Sequence, residues 1–213
     1  MKYLDMETWP RAQQFHFFNQ LDQPYFSLCA DVEITALHQL GQSGRISVYH
    51  AISHAIMTVA NELPWMRWRI RGQRVLEHPR LNAGLTSLGE DQQVRFTRVA
   101  FSEDFQAFSQ AMTEQSLASV RRSELFSDQD DSDDDAIFMS CLPWVRFTQM
   151  TNPMPLSPAD SVPRITWGRY DIQPDKVVLP LAFQIHHAIA DGLHAGQFYQ
   201  QLQQRLDDCH NWV

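Results

Sequence analysis

The chain has 213 residues, of which 44% are hydrophobic and 11% aromatic, and its formal net charge is −8. This length and composition suit an ordinary globular domain with a real core and exclude a disordered chain. The negative charge argues against a nucleic-acid or anionic-membrane binder, and no run approaches the roughly eighteen consecutive apolar residues of a membrane span.

In chain order, MKYLDMETWPRAQQ at the start has no apolar stretch of signal-peptide length. YFSLCADVEITA (25–36) is a β-type run leading into a short helix, broken at GQSGR. ISVYHAISHAIMTVANEL places Val48, Ile52, Ala55, Ile56, Val59 and Leu63 at steps of three and four, which predicts a helix with one buried face, stopped before Pro64. WMRWRIRGQRVLEH predicts a hairpin around an Arg-Gly turn, and VRFTRVAF a further strand. SEDFQAFSQAMTEQSLASVRR predicts a helix whose acidic start and basic end suit the helix dipole. Then come strand-like AIFMSCL, WVRFTQM, ITWGRYDI and KVVLPLAFQIHHA, and an amphipathic helix after Asp191. There is no internal repeat or linker, so residues 1–213 read as one domain. Strands and helices without regular βαβ alternation predict an α+β fold around a mixed or antiparallel sheet.

Two conspicuous clusters carry little chemistry. SDQDDSDDD holds six aspartates among nine residues, but 128–139 lacks the Gly and Glu that a calcium loop needs, so it reads as a solvated loop. His50 and His54 are four apart on a helix, yet no Glu stands between them in the HExxH manner and no third ligand is near, so no metal site is expected. Cys29, Cys141 and Cys209 are odd in number, scattered and without a CxxC pair, which reads as reduced thiols of a cytoplasmic protein.

The two adjacent histidines near the end are more informative. Strand alternation puts His187 on one stripe with Val177, Leu179, Leu181, Phe183 and Ile185, and His186 on the other, more polar side. Burial would keep His187 neutral, as a general base near pH 7 requires, although a core histidine bonded to a carbonyl fits as well. Asp191 either caps the last helix or meets a cation that steadies the loop carrying His187.

His187-Ala188-Ile189-Ala190-Asp191-Gly192 matches the HxxxDG signature of the chloramphenicol acetyltransferase family, which is similar to the catalytic domains of dihydrolipoyl acyltransferases. SCLPWVRFT (140–148), the C-terminal block from ITWGRY to the end of the last helix, METWPRAQQFHFF and VRFTRVAF resemble that family's segments in the same order. The resemblance implies an α+β two-layer sandwich with a mixed sheet, and a homotrimer whose active sites lie between subunits. It implies acetyl transfer from acetyl-CoA, as co-substrate with no permanently bound cofactor, to a hydroxyl of chloramphenicol or a similar small molecule. His187 would be the base, Ser140 the oxyanion donor and Thr166 a helper through a water. Asp191 and Arg11 would form a supporting ion pair. Arg169 and Tyr170 would lie along the CoA channel, and Phe17, Phe18, Phe26, Phe96 and Phe126 would line the acceptor pocket. The chain departs from the family at Asp22, where an apolar pocket residue is usual, at Ala190, which replaces a cysteine, and at Arg146, Gln149 and the Pro-rich TNPMPLSPADS. These put the acceptor in question. A different small-molecule acceptor, or a non-catalytic trimeric binder on the same scaffold, are the alternatives.

Overall fold

A computed structural model describes residues 1–126 and 134–213. In chain order it forms β1 (Lys2–Tyr3), α1 (Ala12–Phe18), β2 (Tyr25–Glu33), α2 (Thr35–Gln42) and α3 (Val48–Glu62). There follow β3 (Trp68–Arg71), β4 (Arg74–Glu77), β5 (Asn82–Leu88), β6 (Val94–Val99) and α4 (Phe105–Val120). The chain ends with β7 (Ala136–Leu142), β8 (Arg164–Gly168), β9 (Asp171–Ile172), β10 (Val177–His186) and α5 (Gly192–Asp207).

Among the described residues the main sheet runs β2-β10-β8-β7-β5-β6, with β9 also beside β10. Its β5–β7 and β7–β8 pairs are parallel and the others antiparallel, the mixed sheet of an α+β sandwich. The hairpin β3–β4 turns at Gly72, whose φ of 61° favours glycine, and adds β1 to make a small second sheet. Arg69 in β3 is fully buried and donates to the carbonyls of Met66, Trp68, Asp134 and Ala136, which ties the hairpin to the start of β7.

The helices cover one face of the sheet. Ala83, Leu85, Val99, Ile137, Met139, Ile165, Leu181, Phe183 and Ile185 point into that layer at every second strand position. α3 differs from its predicted single buried face, because Ser53 and His54 are as buried as Ile52 and Ile56. It packs between α2, α4 and α5 with β5 and β7 below, so nearly its whole circumference is covered. His50 Nδ1 meets the Ser109 hydroxyl at 2.8 Å and His54 Nε2 the Ser102 carbonyl at 3.1 Å, which gives each imidazole one partner.

The other face is partly roofed by residues 143–163. WVRFTQM, predicted as a strand, is irregular here: Pro143 has no N–H to extend the β7 ladder, and the chain leaves the sheet. The roof is anchored where Ser27 donates to the Met150 carbonyl, Tyr25 to the Pro155 carbonyl and the Asn152 amide to Gln184. With helices behind and this segment in front, all ten residues of β10 are buried.

Strand β5 and helix α1 were not assigned from sequence. NAGLTSL has small residues and only two strong apolar positions, too weak an alternation to stand out. The predicted solvated acidic cluster lies mainly at 127–133, outside the described residues. Its last two aspartates are not simply solvated. Asp134 pairs with Arg71 at 2.7 Å and His78 at 2.9 Å, and Asp135 pairs with Arg98. Among the described residues no helix is long and apolar enough to cross a membrane.

Candidate active site

β10 delivers two histidines to its C-terminal end, and the structure gives them environments opposite to those that alternation predicts. His186 is fully buried under the roof, whereas His187 is only partly buried. The strand ends at His186 and the chain turns, so parity does not extend to His187. Burial pushes the His186 imidazole down to about 4, and the ring stays neutral. Its Nδ1 accepts the Ala188 N–H at 3.2 Å, while its carbonyl accepts the N–H groups of Ile189 and Ala190.

That turn aims His187. Nδ1 of His187 lies 3.0 Å from the Ala190 carbonyl, which can only accept, so Nδ1 carries the proton and donates. Nε2 is thereby left as the ring's acceptor. Phe18 from α1 stacks on the imidazole, with centroids 3.8 Å apart and planes 10° apart, and Phe26 from β2 tilts against it at 5.4 Å.

Arg11, just before α1, holds the turn. Its Nε donates to the Ala188 carbonyl at 3.1 Å, Nη2 to the His187 carbonyl at 2.9 Å, and Nη1 to Asp191 at 2.5 Å. Asp191 also caps α5, accepting from the Leu193 amide and facing His194 Nδ1 at 2.7 Å, so the cap and ion-pair readings hold together. Burial by itself would raise the Asp191 carboxyl. The hydrogen bonds from His194 and Arg11, with the Arg11 charge, outweigh it and hold the group well below the ordinary carboxylate range.

The second half of the site is a row of hydroxyls on the roofed face of the sheet. Register places Phe96 beside Thr86 and Ser140 beside Thr166, and the Ser140 and Thr86 hydroxyls are 2.9 Å apart. Thr166 donates to the Asn152 side chain at 3.1 Å. These residues line a pocket of about 330 Å³, walled by Phe96, Phe126 and Phe138. Phe96 and Phe126 stack at 5.0 Å. The pocket needs Gly84, since a Cβ there would lie 2.5 Å from the Phe138 ring. Thr86 and Asn152 were not singled out from sequence: one lies on the unassigned strand, the other in the irregular roof.

The two halves do not meet within one chain. Thr166 pairs with Ala182, and about 13 Å of extended strand separates Ala182 from His186, the residue before His187. The expected acceptor phenylalanines divide in the same way. Phe18 and Phe26 touch His187 and Phe17 is exposed beside Phe18, while Phe96 and Phe126 belong to the Ser140 pocket. Arg169 and Tyr170 are exposed just beyond β8, where Tyr170 packs edge-on against His38. Asp22 is exposed in the turn after α1 and does not line the pocket.

Comparison with known proteins identifies the family. The family model described as chloramphenicol acetyltransferase matches residues 1–203. The chain belongs to the chloramphenicol acetyltransferase family. A chloramphenicol acetyltransferase of Bacillus pumilus is 25% identical over 97% of this chain and 94% of its own length. One of Staphylococcus aureus is 26% identical over 99% and 98%, respectively. A solved chloramphenicol acetyltransferase superposes with a TM-score of 0.86 at 25% identity, over 96% of this chain and 99% of that one. The dihydrolipoamide acetyltransferase of Azotobacter vinelandii shares the fold, with a TM-score of 0.71 at 18% identity, over 94% of this chain and 88% of that one. As a member of the chloramphenicol acetyltransferase family the chain is an acyltransferase, and the family's donor is an acyl-CoA.

Proposed function

We propose that the chain transfers an acetyl group from acetyl-CoA to a hydroxyl of chloramphenicol or a similar small molecule, in active sites formed between copies of a homotrimer. His187 Nε2 takes the proton of the acceptor hydroxyl as its oxygen attacks the thioester carbonyl. The tetrahedral oxyanion accepts a hydrogen bond from Ser140, whose own oxygen accepts from Thr86, and Thr166 adds a water-mediated contact. Collapse expels the CoA thiolate, which takes the proton back from His187. Arg169 and Tyr170 lie beside the CoA, and the phenylalanines of both halves enclose the acceptor.

The hydrogen bond from His187 Nδ1–H to the Ala190 carbonyl carries this reading, because it leaves Nε2 free to act as base. The separation of His187 from Ser140 within one chain favours a site closed by a neighbouring copy in a head-to-tail ring.

Co-expression of His187→Ala with Ser140→Ala tests both points together. Each variant alone should lose about a hundredfold or more in turnover. In a ring with shared sites, random mixing of equal amounts leaves about a quarter of the sites with both residues intact, and activity returns accordingly. Mixed protein no more active than the single variants would refute the shared site, and a fully active His187→Ala would refute the base.

A further inference from the structure

The turn that carries His187 is pinned through its backbone groups, and each has a definite partner. The His187 N–H donates to the Pro24 carbonyl at 2.6 Å, and the N–H groups of Ile189 and Ala190 both donate to the His186 carbonyl. Arg11 donates to the carbonyls of His187 and Ala188, and the His187 ring donates to that of Ala190. The N–H of Ala188, a fully buried residue, is met by a side chain instead. It donates to His186 Nδ1 at 3.2 Å.

That contact fixes the state of the His186 ring. A backbone N–H can only donate, so Nδ1 carries a lone pair and the ring's proton sits on Nε2. Burial under the roof, edge-on to Tyr25, keeps the ring neutral. Among the described residues its Nε2 has no hydrogen-bond partner. On packing grounds alone an imidazole is therefore a poor choice here, since an apolar side chain would fill the space without burying an unpaired N–H. What an apolar side chain lacks is the acceptor for Ala188. The two adjacent rings are thus opposite tautomers, His186 protonated on Nε2 and His187 on Nδ1.

Loss of the His186 acceptor would leave the Ala188 N–H buried and unpaired, and the turn would have to shift to find it a partner. Ala188 lies between His187 and Ala190, whose carbonyl orients the imidazole, so such a shift moves the base and its anchor together. We infer that His186 is a positioning residue for the acetyl transfer: its neutral ring holds the Ala188 amide and, through the turn, sets the aim and the tautomer of His187. This rests on His187 acting as the base. Arg11 secures the turn by its carbonyls, and His186 secures it by an amide.

Three substitutions separate positioning from bulk. The side-chain oxygen of asparagine occupies the same position as Nδ1, so His186→Asn keeps the acceptor. His186→Leu removes it, and His186→Gln carries it one bond further out. With acetyl-CoA as donor and chloramphenicol or p-nitrobenzyl alcohol as acceptor, His186→Leu and His186→Gln should lower kcat about tenfold to a hundredfold, with the KM for acetyl-CoA within about twofold of the unaltered protein. His186→Asn should recover most of that loss. In the intact protein carrying 15N-labelled histidine, long-range NMR correlations should show His187 protonated on Nδ1 in the unaltered protein and in His186→Asn, and a mixture of tautomers in His186→Leu. Full turnover by His186→Leu, or His186→Asn as slow as His186→Leu, overturns the inference. An unchanged His187 tautomer in His186→Leu overturns it as well. If the unaltered protein transfers no acetyl group while the tautomers respond as stated, the positioning of His187 stands and the acetyl-transfer reading falls.

Discussion

Replacing Arg11 by alanine should loosen the turn that aims His187, and the structure allows the size of the effect to be worked out. The side chain makes two bonds to carbonyls, of His187 and of buried Ala188, and one ion pair with Asp191. Hydrogen bonds from a charged donor contribute about 1.5–3 kcal/mol each. The Asp191 carboxylate is about one-third exposed, at 33%, so the ion pair is discounted to the range of about 1 kcal/mol typical of solvent-screened pairs. Allowing for water reaching the carbonyls, Arg11→Ala should cost about 3–4 kcal/mol, or about 10 °C in melting temperature for a chain of this size. Asp191→Asn keeps an N-cap side chain and should cost less, about 1–2 kcal/mol. If the two residues act as a pair, the double variant should lie within about 0.5 kcal/mol of Arg11→Ala alone. Urea denaturation at one fixed protein concentration, to hold oligomer linkage constant, measures all four corners of the cycle. Activity should fall in parallel, because a misaimed base loses the orientation on which proton transfer depends. Full additivity would refute the pairing, and an Arg11→Ala variant as stable and active as the parent would refute the clamp. The carboxyl of Asp191 is depressed in the folded state, so its contribution should be complete above its unfolded pKa near pH 4 and lost as the pH falls through the lower folded value.

Other expectations follow from the same geometry. His186 is held near 4 by burial against about 6.5 in the unfolded chain, so the unfolded state binds its proton first as the pH falls. Stability should drop by about 2 kcal/mol from pH 7 to 5 on its account, and His186→Gln should remove that part of the slope; an unchanged slope would refute it. The depressed His50, His54 and His78 should leave a residual slope in the variant. Ser140→Ala should lower turnover by about a hundredfold to a thousandfold with little change in acetyl-CoA affinity, and lost affinity at unchanged turnover would point to ground-state binding instead. Thr86→Val should give a smaller drop, because it removes the hydroxyl that orients Ser140 and not the one facing the oxyanion; equal rates with the parent would exclude that part. Gly84→Ala should cost about 1–3 kcal/mol by pushing the Phe138 ring, with acceptor KM rising more than acetyl-CoA KM, as steady-state kinetics would reveal.

Much of the site could be read from local sequence because its parts lie on short, strongly marked segments. The hairpin at Gly72 and the cap at Asp191 are set by turn and helix-end chemistry that residue types announce. Arg11 was reached only through the family resemblance, since 180 residues separate it from Asp191 and no spacing rule links them. Where the reading failed, tertiary cover decided. Alternation marks one face of β10 as polar, but residues 143–163 bury that face and His186 with it. Steps of three and four mark one stripe of α3, yet neighbouring helices cover the rest. β5 escaped because glycine and serine carry little apolar signal, although that strand supplies both Thr86 and the clearance under Phe138.

The strand ladder that carries the residues lining the Ser140 pocket has an implication for how this enzyme can change. Moving β7 by one residue against β8 would send Ser140 to the helical layer and bring Met139 to the pocket. Burying Ile137, Met139 and Ile165 against the helices makes that slip prohibitive, so the back of the sheet acts as the address for every residue on its front. A substitution at Phe96, Arg98, Phe138 or Arg164 therefore replaces one side chain at a fixed coordinate and leaves Ser140 and Thr166 where they were. Selection can thus retune what the pocket admits position by position, while the reacting groups keep their spacing.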